Sequence, residues 1–171
     1  KSTEFARRVV DEVLLKGADF GRGKKLQDKI MVEYAQLNTH KSFHVGHLRN
    51  VILGACLCDM LAFAGYDVIR AKYMGDIGAH VVKWMWNYLK RHDGETPPEN
   101  SIRWLGDLYA EADSMAHSDP NAEAEIKALF ARWDHRNVDV IDLWQKTRQW
   151  SLDGFDKMFA RLGARFDRYY F

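Results

Sequence analysis

The sequence is poor in cysteine, proline and net charge. Only two of its 171 residues are cysteine, Cys56 and Cys58. They stand two apart in a stretch that reads as helix, where such side chains diverge by about 200°. That spacing argues against a disulfide or a shared metal and leaves them as small buried helix residues. Without a disulfide framework or an opening signal peptide, a reducing cytoplasmic setting is expected. No apolar run reaches the ~18 residues of a membrane span, so no membrane association is expected. The net charge of +1 gives no bulk attraction to nucleic acid. Residues 1–49, however, hold ten Lys or Arg against six Asp or Glu, while the rest holds fifteen against eighteen. A mild basic bias therefore sits in the first third. There is no repeat and no low-complexity segment. At 47% apolar and 29% charged, the chain has a globular composition, with a length that suits one domain or one domain carrying an insertion.

The order of elements follows from periodicity. TEFARRVVDEVLLK, residues 3–16, spaces Phe5, Val9, Val10, Val13 and Leu14 as one helical stripe, ended by Gly17. ADFGRGKKLQDK reads as loop, IMVEYA as a short strand, Gly46 to Ala64 as a long apolar helix closed by Gly65, and YDVIRAKYM as a second strand. A helix of that length between two strands predicts parallel pairing and a right-handed crossover. HVVKWMWNYLKRH is a further helix, and HDGETPPENS breaks the chain at Pro97-Pro98. Helices then fill Ser101 to about Leu162, one of them starting at Asp119-Pro120, and ARFDRYYF ends the chain as strand. The pattern predicts an α/β fold with a parallel sheet interrupted by helices. About three strands are few for such a sheet, which points to one part of a larger protein.

Between the first strand and the long helix stand His40, Lys41, His44 and His47, with Gly46 between the last two. That junction is where open parallel sheets bind ligands, and helix N-terminal amides attract phosphate. His44 and His47, three apart, share a helical face and can both donate to phosphate oxygens. Gly46 lets a flat ring come close, and Lys41 adds a mobile charge. Two other readings remain open: solvated or hydrogen-bonded histidines, and a zinc site built from His40, His44 and His47. No metal site is favoured, because no cysteine or carboxylate completes the set. The six tryptophans, Trp84, Trp86, Trp104, Trp133, Trp144 and Trp150, read as core rather than as base-stacking platforms. Asp19, Asp28 and Glu33 have no paired carboxylate. Arg7, Arg8, Lys24 and Lys25 are equally compatible with RNA phosphates and with solvent.

NTHKSFHVGHLRN followed by GYDVIRAKYMGDIG resembles the class I aminoacyl-tRNA synthetases, and within them the arginyl-tRNA synthetases, over about residues 5–171. The signature His-x-Gly-His is His44-Val45-Gly46-His47. Asn38, Lys41, Leu48-Arg49 and the Gly-Asp-x-Gly at residues 75–78 sharpen the match. The resemblance implies a Rossmann-like parallel sheet, the first half of the class I catalytic domain, with a helical connective insertion. It assigns 1–25 to a helix and linker from a preceding domain, 26–171 to the nucleotide-binding half, and 93–162 to the insertion. It implies ATP, with Mg2+ carried on it, arginine, and tRNA(Arg) through the full-length protein as substrates; the sequence leaves the oligomeric state open, with a monomer the expectation. His44 and His47 would contact ATP phosphates, Gly46 would lie against adenine and Lys41 would help neutralise the phosphates. Asn38, Asp76 and His80 would line the arginine side. Two positions depart from the family pattern: Gln36-Leu37 stands where Ser-Pro is common, and Ala79-His80 where Thr-Gln is common. The remaining half of the fold, the KMSKS region and the anticodon-binding domain would follow Phe171. The alternatives are a nucleotidyltransferase using the same histidine pair on another acceptor, and a non-catalytic domain that binds RNA or a partner.

Overall fold

The computed structural model describes residues 2–171. Helix α1, Ser2–Lys16, is followed by a single 3-10 turn at Gly17–Asp19 and then by strands β1, Lys29–Glu33, and β2, Leu37–Asn38. Next come α2, Val45–Ala64; β3, Asp67–Gly75; α3, Ala79–Arg91; α4, Ser101–Ser118; α5, Ala122–Asp134; α6, Val138–Arg161; and β4, Arg168–Tyr170.

All strand pairs are parallel and all involve β3. Glu33 pairs with Ala71 and Leu37 with Met74, so four steps along β1–β2 match three along β3. The Ala71 and Gly75 carbonyls accept from Tyr34 and Thr39. Residues four apart on a strand present the same edge, so β2 continues β1 past a bulge. Arg70 turns the other way, exchanging bonds with Asp167 ahead of β4. The sheet is therefore three lanes wide, with β3 in the centre. The crossover from β1–β2 through α2 to β3 is the parallel unit that the spacing of the strands predicts.

Several sequence expectations shift. The helix expected at Asp119-Pro120 begins at Ala122: Asp119 instead ends α4, and its Oδ1 accepts from Asn121. Cys58 is buried, but Cys56 is exposed, because α2 puts only one edge (Val51, Gly54, Cys58) on the sheet. That helix is long and apolar enough, by length and composition, to cross a membrane, contrary to the reading that no run reaches that length. Arg49 and Asp59 are its only formal charges. The stripe on α1 is exposed apart from the half-buried Val9, and none of its residues is buried.

Two cores form. One is helical: Val81, Trp84, Met85 and Tyr88 of α3 meet Leu105 and Leu108 of α4, with Leu129 and Trp133 of α5 and Val140 of α6. All six tryptophans lie in or against it, as expected. Trp84 is fully buried, and its Nε1–H donates to the Leu105 carbonyl at 2.9 Å; satisfying that polar atom lets so large a ring be interior. The second core lies between sheet and helices, where Leu37, Val51 and Met74 meet Ile102 of α4 and Phe155 and Phe159 of α6. Lys72 of β3 is also interior. Its ammonium pairs with Asp156 at 3.1 Å and sits over Phe159 and Tyr169, and burial pulls its pKa down. This compensates an otherwise costly charge and attaches β4 to α6.

Gly106 lets α4 approach the β2–α2 turn closely. A Cβ there would stand 3.0 Å from the Cα of Ser42, with the Ser42 side chain closer still. The helix thus touches the backbone of the turn that carries the histidines. Gly106→Ala should displace that turn and cost about 1–3 kcal/mol, read as a drop in thermal midpoint. An unchanged midpoint would mean that the turn yields freely.

Candidate active site

The site lies at the carboxyl ends of β2 and β3, where Asn38 and Gly75 are paired in register. The chain arrives there strained. Ala35, Gln36 and His40 have φ of 81, 49 and 61°, left-handed values that non-glycine residues rarely adopt. Such residues persist only where the surroundings hold them, and they concentrate at functional sites.

His44 is the N-cap of α2. Its Nδ1 accepts the Gly46 N–H at 3.1 Å, while its own backbone N–H donates to His47 Nδ1 at 3.3 Å. The arrangement is a capping box in which imidazoles replace the usual hydroxyl and carboxylate. It fixes both tautomers. With Nδ1 an acceptor in each ring, the neutral proton resides on Nε2, so both Nε2–H groups are donors available to a ligand. The rings stack 3.7 Å apart at 23°. A Cβ on Gly46 would meet His44 Cε1 at 2.9 Å and Nδ1 at 3.1 Å. In this structure the flat ring that approaches Gly46 is that of His44.

The pKa of His47 lies below the ordinary histidine value, first through burial and then through the charges of His44 and Lys41. The cap gives the same answer independently, since protonating Nδ1 would cost the bond to the His44 amide. The Lys41 ammonium lies 4.9 Å from the Tyr109 ring centre and also depresses His80, whose value is lowered chiefly by burial. His80 Nε2 is buried and has no hydrogen-bond partner among the described residues. Lys41, with the neutral donors His44 and His47 and the nearby His80, thus forms one ledge beside the α2 N-terminus. The ledge is open: His44 and Val45 are exposed.

His40 belongs elsewhere. It is fully buried against Trp84, with Nδ1 3.0 Å from the Thr39 hydroxyl and Nε2 2.8 Å from that of Thr147. Thr147 donates its own proton to the Leu143 carbonyl, so His40 Nε2–H donates to Thr147. Burial, then the charge of His80, pushes the His40 pKa down to about 3. This member of the histidine turn is therefore a satisfied core residue. The zinc trio does not converge, and among the described residues no group of three His, Cys, Asp or Glu could hold a metal ion.

Asn38 is half-buried, with its side-chain oxygen where a Cβ on Gly75 would be. Asp76 is buried, and its Oδ2 accepts from Arg148 Nε at 2.6 Å and its carbonyl from Trp144 Nε1 at 2.8 Å. Neither partner is evident from sequence. In LWQKTRQWS the signal is polar residues at helical spacing on a packed face, which a hydrophobicity pattern discounts.

The family model for tRNA synthetases class I (R), catalytic domain, matches residues 9–167. The chain belongs to this family. The arginine–tRNA ligase of Treponema denticola is 36% identical over 174 residues, covering 98% of the chain and 30% of that relative. The arginine–tRNA ligase of Bdellovibrio bacteriovorus is 36% identical over 151 residues, covering 84% of the chain and 26% of that relative. Among solved structures, the Thermus thermophilus arginyl-tRNA synthetase superposes with a TM-score of 0.69 at 25% identity, covering 92% of the chain and 26% of that protein. The Plasmodium falciparum arginyl-tRNA synthetase gives 0.61 at 26% identity, covering 84% and 24%. The class I synthetase fold and the family resemblance expected from the sequence are thus borne out. The chain spans about 30% of the length of the first curated relatives it matches.

Proposed function

We propose that the natural protein carrying this sequence is an arginine–tRNA ligase, and that these residues supply the ATP half of its site. The observation that carries this reading is the pair of imidazoles fixed as Nε2–H donors at a helix N-terminus. A carboxylate oxygen of arginine attacks the α-phosphorus of ATP; the bond to the bridging oxygen breaks, and pyrophosphate leaves with the electron pair. A hydroxyl of the terminal ribose of tRNA(Arg) then attacks the carbonyl of the adenylate, and AMP leaves. No covalent bond to the enzyme is needed, so the protein contributes position and charge stabilisation.

We assign the phosphates to His44 and His47, which as neutral donors bind oxygens that gain charge as pyrophosphate departs. Lys41 adds a full charge beside them. Gly46, against which the His44 ring packs in this structure, would lie against adenine. Asn38, Asp76 and His80 would line the arginine side. Mg2+ would enter as the complex with ATP; the carboxylate of Asp76 is held by Arg148. Residues 26–171 would form the first half of the nucleotide-binding domain with 93–162 as its insertion, and 1–25 a linking helix, consistent with the exposure of α1. A cytoplasmic monomer fits this role.

The test is exchange of labelled pyrophosphate into ATP by that natural protein with each of the twenty amino acids. Arginine alone should support exchange. Exchange driven by another amino acid, or by none, removes the reading.

A further inference from the structure

Two lips border the site: the β2–α2 turn with the first turn of α2, which carry Lys41, His44 and His47, and the β3–α3 turn with the first turn of α3, which carry Asp76 and His80. They meet each other along the short β2–β3 pairing and the bond from Thr39 N to the Gly75 carbonyl at 2.9 Å. A third element grips both. Trp144, Thr147, Arg148 and Ser151 follow one another on α6 at intervals of three, one and three, so they share one helical face. Thr147 accepts from His40 Nε2 at 2.8 Å, and Ser151 Oγ accepts the His40 backbone N–H at 2.9 Å. Arg148 and Trp144 hold the carboxylate and the carbonyl of Asp76 at 2.6 and 2.8 Å.

The chemistry of that face is unusual for a packed helix. Thr147 and Ser151 are completely buried, where apolar side chains would pack at no polar cost; hydroxyls persist in such places when a specific partner satisfies them. The Arg148 guanidinium is further steadied over the Phe171 ring at 4.1 Å. His40, held left-handed at φ 61°, immediately precedes Lys41. Asp76 begins the turn that leads into α3, whose second residue is His80.

We propose that this face of α6 is a positioning strap: by gripping His40 on one lip and Asp76 on the other, it sets the separation of the ATP-binding and arginine-binding halves of the site. These four are positioning residues that act through His40 and Asp76. The inference rests on the adenylation reading for its catalytic consequence, but its structural content stands apart from it.

The experiment uses the natural protein with Thr147→Val, Thr147→Ser, Arg148→Met and Arg148→Lys, read by arginine-dependent pyrophosphate exchange and by hydrogen–deuterium exchange. Thr147→Val should raise KM for ATP about tenfold or more while KM for arginine stays within about twofold; Arg148→Met should do the reverse, since small misplacements cost large factors. Thr147→Ser and Arg148→Lys should recover most of each loss. Amide exchange should quicken at residues 39–47 in Thr147→Val and at 76–80 in Arg148→Met, with the global unfolding midpoint little changed. Equal loss in both KM values together with a general fall in stability overturns the strap and leaves α6 as ordinary scaffold. Unchanged amide exchange in both turns also overturns it. If the unaltered protein shows no arginine-dependent exchange, the adenylation reading fails, and the amide exchange of the two turns alone decides for or against the strap.

Discussion

Replacing His47 with Ala is expected to lower arginine-dependent pyrophosphate exchange by about 10²- to 10³-fold, the range found when one fixed donor to a developing charge is removed. The ring has two jobs. Its Nδ1 accepts the His44 amide at 3.3 Å, and its Nε2–H is the proposed phosphate donor. Losing the cap alone costs about 1 kcal/mol, too little to unfold a helix whose next residues include Leu48 and Val51. The fold should therefore survive, with an unchanged circular dichroism spectrum. His47→Asn separates the roles, since an amide oxygen can restore the cap without restoring a donor at the Nε2 position. Exchange that stays within a few-fold of the parent in both variants would remove His47 from the phosphate site.

Acid should destabilise this chain well above the carboxylate range, and His40 is the reason. Its proton affinity in the fold is low, with a pKa of about 3, whereas an unfolded histidine titrates near 6.5. The unfolded chain therefore binds a proton between those values and the folded chain does not, so stability is full above about pH 6.5 and falls with pH. The slope from this group is about 1.4 kcal/mol per pH unit. His47 and His80, also lowered by burial, act in the same direction. His92 opposes them: its pKa is raised through bonds to Glu111 and Glu95 that outweigh its burial, so its contribution is present in acid and lost as pH rises. Urea unfolding at pH 7.5, 6.0 and 5.0 measures the net slope. His40→Gln, itself less stable, should release about one proton fewer of pH dependence; an identical slope in the variant would falsify the assignment to His40.

The legible and the illegible parts of this protein divide along physical lines. The long helix after the histidine turn, its closure at Gly65 and the parallel strand beyond it are readable because periodicity and punctuation are local. Other features are not. The bulge at Ala35-Gln36 leaves no turn-forming glycine or proline to mark it. The inward turn of His40 depends on Thr147 and Ser151, more than a hundred residues away, and nothing near His40 distinguishes it from His44. Cys56 and Cys58 look alike in sequence, yet only the fold decides which edge of α2 meets the sheet.

Sequence alone determined the kind of chemistry on offer: two imidazoles one helical turn apart, a lysine and a glycine at a strand–helix junction, in a pattern shared by one synthetase family. Tertiary structure decided which of the titratable groups stay open at the surface and which serve as ties. That decision depends on burial and on partners brought from α4 and α6. A histidine exposed at a helix end and one sealed against a tryptophan have the same side chain, and only the surrounding packing leaves the first open to solvent and makes the second a neutral cross-link.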